Sequence, residues 1–265
     1  MFWGFGRDEE IIKSLQEIFG YMFKLLNVHY DNVSFDTALK QCEELLKSHK
    51  KSNLFYLNAD CLYKSQTDIE YRDILNSAGL VLPDGIALAL ITRLFGGRMK
   101  ENLNETDFLP KLMKKAAELG YKMFFLGGRE GVALAAAENM MKKVPGIEIV
   151  GTHDGYFKDD QTVIDKINAS GADILFVAMG VPLQEKRIFK NRERLNPKLC
   201  VWVGALLDYL SGRVRRAPKI FRILKLEWFW RVFMEPKRMF KRYFIDGSKL
   251  IMLVLKEKFF PAKSK

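Results

Sequence analysis

The 265-residue chain is poor in metal-ligand signals: its histidines, His29, His49 and His153, are scattered, and no Asp-x-Asp triplet occurs. Metal ligation therefore finds little support, and no cofactor is expected. The cysteines Cys42, Cys61 and Cys200 share no CxxC or Cys/His spacing. That suggests neither a disulfide framework nor a zinc site, and it fits a reducing cytoplasm. No stretch reaches the roughly 18 to 20 apolar residues of a spanning helix. The best, Leu250 to Leu255, is cut short by Lys249 and Lys256. Asp8, Glu9 and Glu10 stand where an export signal would need a basic region followed by an apolar one. Internal repeats and low-complexity linkers are missing as well.

What the chain has in excess is positive charge in one place. The formal net charge is +11, yet residues 211–265 hold 16 Lys and Arg against 4 Asp and Glu, leaving −1 for the rest. Ten aromatics share that tail, among them Trp228, Phe229, Trp230, Phe233, Phe240 and Phe244. A basic segment alone fits a solvated face or nucleic acid; one interleaved with Trp and Phe fits an anionic membrane interface better. The partner expected here is that membrane surface and no nucleic acid.

Short apolar runs alternate with amphipathic stretches, the pattern of a Rossmann-like α/β fold with a mostly parallel sheet and crossover helices. Expected strands are Asn53 to Leu57, Gly79 to Leu82, Lys122 to Leu126, Glu148 to Val150, Asp173 to Met179 and Leu199 to Val203. Expected helices fall near Phe35 to Ser48, Ala59 to Leu75, Ile86 to Leu94, Thr106 to Leu119, Glu130 to Lys143, Gln161 to Ala169 and Leu183 to Leu195. Ile11, Leu15, Ile18, Met22 and Leu25 form one face of a further helix over Asp8 to Leu26, packing on the core or on a second subunit, which admits a homo-oligomer. The organisation that follows is an amphipathic extension at 1–24, a catalytic α/β core at 25–210 and a basic aromatic helical appendage at 211–265.

Ligands of open α/β sheets bind beyond the carboxyl ends of the strands. Asn58 and Asp60, Asp84, Gly127-Gly128 with Gly131, Gly180 with Gln184 and Glu185, and Gly204 all fall there. The glycine turn at 127–131 opens a helix, so its amides can cradle a diphosphate or merely make the turn. It lacks GxGxxG spacing and a ribose-binding acid, which argues against a dehydrogenase. Asp84 can accept a proton from a hydroxyl, or cap a helix.

These residues stand in an ordered series: Leu82-Pro83-Asp84-Gly85, Asn104-Glu105-Thr106-Asp107, Phe125-Leu126-Gly127-Gly128, Gly180-Val181-Pro182-Leu183-Gln184-Glu185, Gly204 to Asp208, Arg216-Ala217-Pro218, Glu227-Trp228, Arg231, Glu235-Pro236, Arg238 and Arg242-Tyr243. In this the chain closely resembles the WecG/TagA/CpsF family of bacterial cell-surface polymer glycosyltransferases, from about Leu26 to Tyr243. The resemblance implies an inverting, metal-independent transfer of an N-acetylmannosamine-type hexose from a UDP-sugar to an undecaprenyl-diphosphate-linked sugar, on the cytoplasmic face of the membrane. It implies Asp84 as catalytic base and Asn58, Gly127, Gly128, Gln184 and Glu185 along the donor pocket, with Asp60, Gly131, Gly180, Gly204 and Asp208 as further substrate-binding candidates. Arg216, Arg231, Arg238 and Arg242 are the cations expected at a diphosphate or a lipid headgroup. The last three share one helical face if their helix runs unbroken past Pro236. Where some members carry threonine just before the asparagine, this chain has Tyr56-Leu57. The alternatives are a non-catalytic nucleotide-binding protein with a nucleic-acid-binding tail and a membrane-surface scaffold.

Overall fold

The computed structural model describes residues 21–48, 50–223 and 226–260, without the side chains of Tyr21, Ile223 and Arg238. A six-stranded parallel sheet forms its centre, in the order β4-β3-β8-β7-β5-β6. The strands are β3 (Ser52–Leu57), β4 (Leu80–Pro83), β5 (Lys122–Gly127), β6 (Glu148–His153), β7 (Ile174–Ala178) and β8 (Leu199–Trp202). The expected strands are all present, because sheets covered by helices on both faces are built from nearly continuous apolar runs. Every residue of β7 and β8 is buried.

The helices are α1 (Phe35–Lys47), α2 (Ala59–Thr67), α3 (Ile69–Asn76), α4 (Ile86–Leu94), α5 (Glu105–Glu118), α6 (Val132–Lys143), α7 (Asp160–Ala169) and α8 (Leu183–Asn191). One expected helix, Ala59 to Leu75, is two. Asp68 ends α2 and caps α3, its side chain accepting from Tyr71 N at 3.0 Å. Aspartate favours that cap over a helix interior. The helix expected to reach Leu195 gives way to a 3₁₀ turn at Arg192–Arg194.

The amphipathic reading of Asp8 to Leu26 needs correction at its end; its first part, to residue 20, lies outside the described residues. Residues Tyr21–Leu25 form β1, antiparallel to β2 (Val28–Asn32). Leu26 and Asn27 make the two-residue turn with φ of 46° and 64°. Positive φ at both positions matches the strand twist, but leucine there is strained without outside support. The support is tertiary: Gln66 Nε2 donates to Leu26 O and Asn76 Nδ2 to Asn27 O, both at 2.9 Å. The hairpin also covers the edge of β4, where Asp31 Oδ2 accepts from Val81 N at 2.7 Å.

Beyond β8 come α9 (Leu206–Leu210), α10 (Lys219–Ile223), α11 (Glu227–Met234), α12 (Pro236–Phe240), a π-helical turn at Lys241–Asp246 and α13 (Gly247–Phe259). The tail helix is not continuous through Arg231, Arg238 and Arg242. It breaks at Glu235 (φ −136°, ψ 62°), since a residue preceding proline is pushed out of the helical region. Leu250 and Val254 of α13 are buried in the main core, so the tail is packed onto the body.

Candidate active site

The carboxyl ends of β3, β4 and β8 carry the site. The chain passes outward from β3 to β4, while β8 is entered from the far side through β7, and the seam between two such halves is where open sheets bind ligands. Asp84 follows β4, its N–H donating to Leu57 O at 2.8 Å, which sets it beside Asn58 at the end of β3. Asn58 caps α2, accepting from Cys61 N at 3.0 Å.

A second carboxylate arrives by a route that no local pattern shows. Leu103 N donates to Pro83 O at 3.0 Å and Asn102 Oδ1 accepts from Gly85 N at 2.7 Å. This pairing lays residues 102–105 along the end of β4 and delivers Glu105, the first residue of α5, next to Asp84. Glu105 Oε1 accepts from Ala205 N at 3.2 Å. Its other oxygen packs so close to Gly204 that a Cβ there would overlap it, and Gly204 has φ +43°. The left-handed backbone at Gly204 and the closeness of the Glu105 carboxylate both favour glycine there.

Burial pushes the Asp84 carboxyl above its ordinary range; Arg242 and Arg231 pull it back, and a hydrogen bond with Asn58 also favours the charged form. Glu105 is pushed up to about 8, first by burial and then by Asp84, against the pull of Arg231 and Arg242. Two carboxylates that share a site do not both ionise readily. At neutral pH Glu105 holds the proton.

The counter-charge comes from the tail. Arg242 Nη2 lies 3.5 Å from Asn58 Oδ1 and its Nε 3.9 Å from Asp60 Oδ2, while Lys64 Nζ binds the same Asp60 oxygen at 2.9 Å. For Arg231, burial works against the charge but Tyr209, Tyr243, Glu105 and Glu235 outweigh it. Its Nε is buried without a hydrogen-bond partner, as are the Tyr56 hydroxyl and Trp202 Nε1. Tyr56 and Trp202 meet edge to face at 5.4 Å beneath the carboxylates, in the stretch before Asn58 where some family members carry threonine. Buried donors left open in this way are what an incoming anion or ordered water satisfies.

The other expected residues take different places. Gly127, Gly128 and Gly180 lie along the same edge of the sheet, at β5 and β7. Strands about 4.8 Å apart put β5 about 19 Å from β4. Gly128 N already donates to Ala178 O at 2.9 Å, and a Cβ on Gly127 would overlap that same carbonyl group. These glycines let two strand ends approach; Gly131 (φ +79°) has open space around it. Gln184 is fully buried, its Oε1 accepting from Met179 N and Gly180 N at 3.0 Å, so it shapes the loop from inside. Glu185, also fully buried, accepts from the Tyr71 hydroxyl at 3.0 Å, and burial raises it to about 7.

Asp208 pairs with Arg213 at 3.3 Å. Arg216 is held by Asp107 at 2.7 Å and Glu227 at 3.0 Å, and so clamps the tail to α5. The Arg238 side chain lies outside the described residues. Thus Asp84, Asn58, Asp60, Gly204, Arg231 and Arg242 converge, joined by Glu105. The sequence motif containing Glu105 reads as a helix start, since Asn104 caps α5 by accepting from Asp107 N at 3.0 Å.

Among the described residues no helix is long and apolar enough to cross a membrane. The model of the Glycosyl transferase WecG/TagA/CpsF family matches residues 23–264. An N-acetylglucosaminyldiphosphoundecaprenol N-acetyl-beta-D-mannosaminyltransferase of Bacillus spizizenii is 34% identical over 218 residues, 82% of this chain and 84% of that protein. The transferase of the same name from Bacillus subtilis is 32% identical over 201 residues, 76% of this chain and 78% of its own length.

Proposed function

The chain belongs to the WecG/TagA/CpsF glycosyl transferase family and is a hexosyltransferase; from that premise we propose that it moves an N-acetylmannosamine-type hexose from a UDP-sugar to a sugar carried on undecaprenyl diphosphate. The relatives' names supply the acceptor class. The observation that carries the reading is the convergence of Asp84 with Arg231 and Arg242 beyond β3 and β4.

In this reaction Asp84 takes the proton of an acceptor hydroxyl as its oxygen attacks the anomeric carbon. A new glycosidic C–O bond forms while the bond from the anomeric carbon to the UDP oxygen breaks, so a single displacement inverts the configuration. The departing diphosphate gains negative charge, and guanidinium groups aimed at it stabilise that charge without a metal ion. Arg231, with its open buried Nε, and Arg242 are those groups. Asn58 orients Asp84 and favours its ionised form. Glu105 is pushed up to about 8, while Arg242, Arg231 and Asn58 favour the charged form of Asp84.

The tail also brings the enzyme to its lipid acceptor at the inner face of the membrane. Phe233, Phe240, Phe244 and Phe259 are all more than half exposed, and such aromatics among lysines and arginines suit an anionic lipid interface. A panel of UDP-sugars offered with a short-chain lipid-diphosphate acceptor, with products detected by mass, tests the reading. One added hexosamine and released UDP are expected. Absence of product with every donor would remove it.

A further inference from the structure

An apolar groove on the described surface has no part in the chemistry above. Leu90, Ile91 and Leu94 of α4 form one wall and Ile251, Val254 and Leu255 of α13 the other, around a volume of about 150 Å³. Leu90 and Ile251 are 63% and 60% exposed, so water meets aliphatic side chains across its mouth. An apolar space of about this size offers water no hydrogen bonds and accepts a hydrocarbon fragment.

Both walls begin at the charged cluster. α4 opens immediately after Asp84-Gly85, which places Leu90 about 9 Å along the helix from Asp84 at 1.5 Å per residue. The opposite wall continues from Arg242 through the π-helical turn into α13, and Ile251 follows about 13 Å further on. A ligand laid from the cluster outward meets anion-binding guanidinium first and an aliphatic trough second.

We propose that this groove holds the first isoprene units of the acceptor's polyprenyl chain, so that the lipid is threaded between α4 and α13 with its diphosphate toward Arg242. The inference rests on the lipid-diphosphate acceptor proposed above and adds where its chain lies. The order of cation then hydrocarbon, leading away from the reacting carboxylate, is the order of chemistry along a polyprenyl diphosphate. A bilayer contact would need only an exposed face, without a trough between two helices that both lead away from the charged cluster.

The test is equilibrium binding in detergent of a fluorescent polyprenyl diphosphate that carries no sugar, beside an isopentenyl diphosphate analogue with the same fluorophore. The full chain is compared with Leu90→Gln, Ile251→Gln and Met252→Gln; Met252 lies on α13 outside the groove and is 62% exposed. Leu90→Gln and Ile251→Gln should each weaken the long-chain ligand about tenfold, from the loss of one aliphatic contact of ordinary size, and leave the short ligand unchanged. Met252→Gln should alter neither. Equal losses for both ligands, an equal effect of Met252→Gln, or no chain-length dependence in the unaltered protein would each overturn the groove. UDP release assayed on the same protein preparations, with a panel of UDP-sugars and a sugar-bearing short-chain lipid-diphosphate acceptor, reads the transferase proposal separately: chain-dependent binding of the sugar-free lipid without transfer to the sugar-bearing one would sink the transfer reaction while leaving the groove standing.

Discussion

The two halves of the sheet's carboxyl edge are built from different materials. At β3, β4 and β8 the edge carries carboxylates held against their preference and buried donors without partners, with arginines imported from the far end of the chain. At β5 and β7 it is made of glycines already engaged with their neighbours: Gly127 packs against the Ala178 carbonyl, Gly128 N donates to it and Gly180 N donates to Gln184 Oε1. The first half stores unsatisfied electrostatics, which is what chemistry needs; the second lets two strand ends approach closely. Substitutions in the first half should therefore reach kcat, and those in the second stability or KM.

The largest expected effect is that of Asp84→Asn. Loss of the base should lower kcat about 10³-fold while titration calorimetry still finds UDP-sugar binding within about twofold. Full activity would remove Asp84 from the base role. Gly204→Ala should lower kcat about tenfold to a hundredfold, because the new methyl group displaces Glu105 from its place beside Asp84, the size of loss that small misplacements in active sites cause. Wild-type turnover in that variant would mean that Glu105's position is irrelevant.

Glu105→Gln should change kcat at pH 7 by less than about tenfold, because Glu105 is already protonated there. Its signature is in pH. A carboxyl at about 8 in the folded protein, against an ordinary value of 4.5, means that folding binds a proton between those limits. Stability of the unaltered protein should fall as pH rises through that window, and Glu105→Gln should flatten the fall in a series of thermal melts. The acidic limb of the rate profile should stay where it is, since Glu105 is already neutral at the pH where Asp84 takes up its proton. The smallest effect on catalysis belongs to the other half: Gly127→Ala should cost about 1–3 kcal/mol of stability through overlap with the Ala178 carbonyl, with kcat in the folded fraction nearly unchanged.

How much of this the sequence discloses follows the same division. Buried parallel strands announce themselves as apolar runs, and strand ends with glycine or aspartate mark the ligand-binding edge, so β3 to β8 and Asp84 can be placed from local pattern. The β1–β2 hairpin cannot, because Leu26-Asn27 carries no glycine signal and depends on Gln66 and Asn76 from other elements. Glu105 is hidden for a similar reason: an acid in the first turn of a helix is ordinary, and only the pairing of residues 102 and 103 with 85 and 83 carries it to Asp84. Arg231 and Arg242 are expected on one helical face only if their helix runs unbroken past Pro236. They reach the same site although the helix breaks at Glu235, through folding of α11, α12 and the π-helical turn over the body. Removing the whole tail is therefore a poor probe, since it would also expose the core contacts of Leu250 and Val254.

In the proposed reaction the tail arginines complete the reaction centre as well as meeting lipid. This role is tested most directly by kcat of Arg242→Ala and Arg231→Ala with a water-soluble, short-chain acceptor and no membrane present. A fall of about 10²-fold in each, the usual cost of removing one charge-stabilising donor, is predicted. Unchanged kcat with the soluble acceptor, and loss only when vesicles carry the substrate, would contradict it.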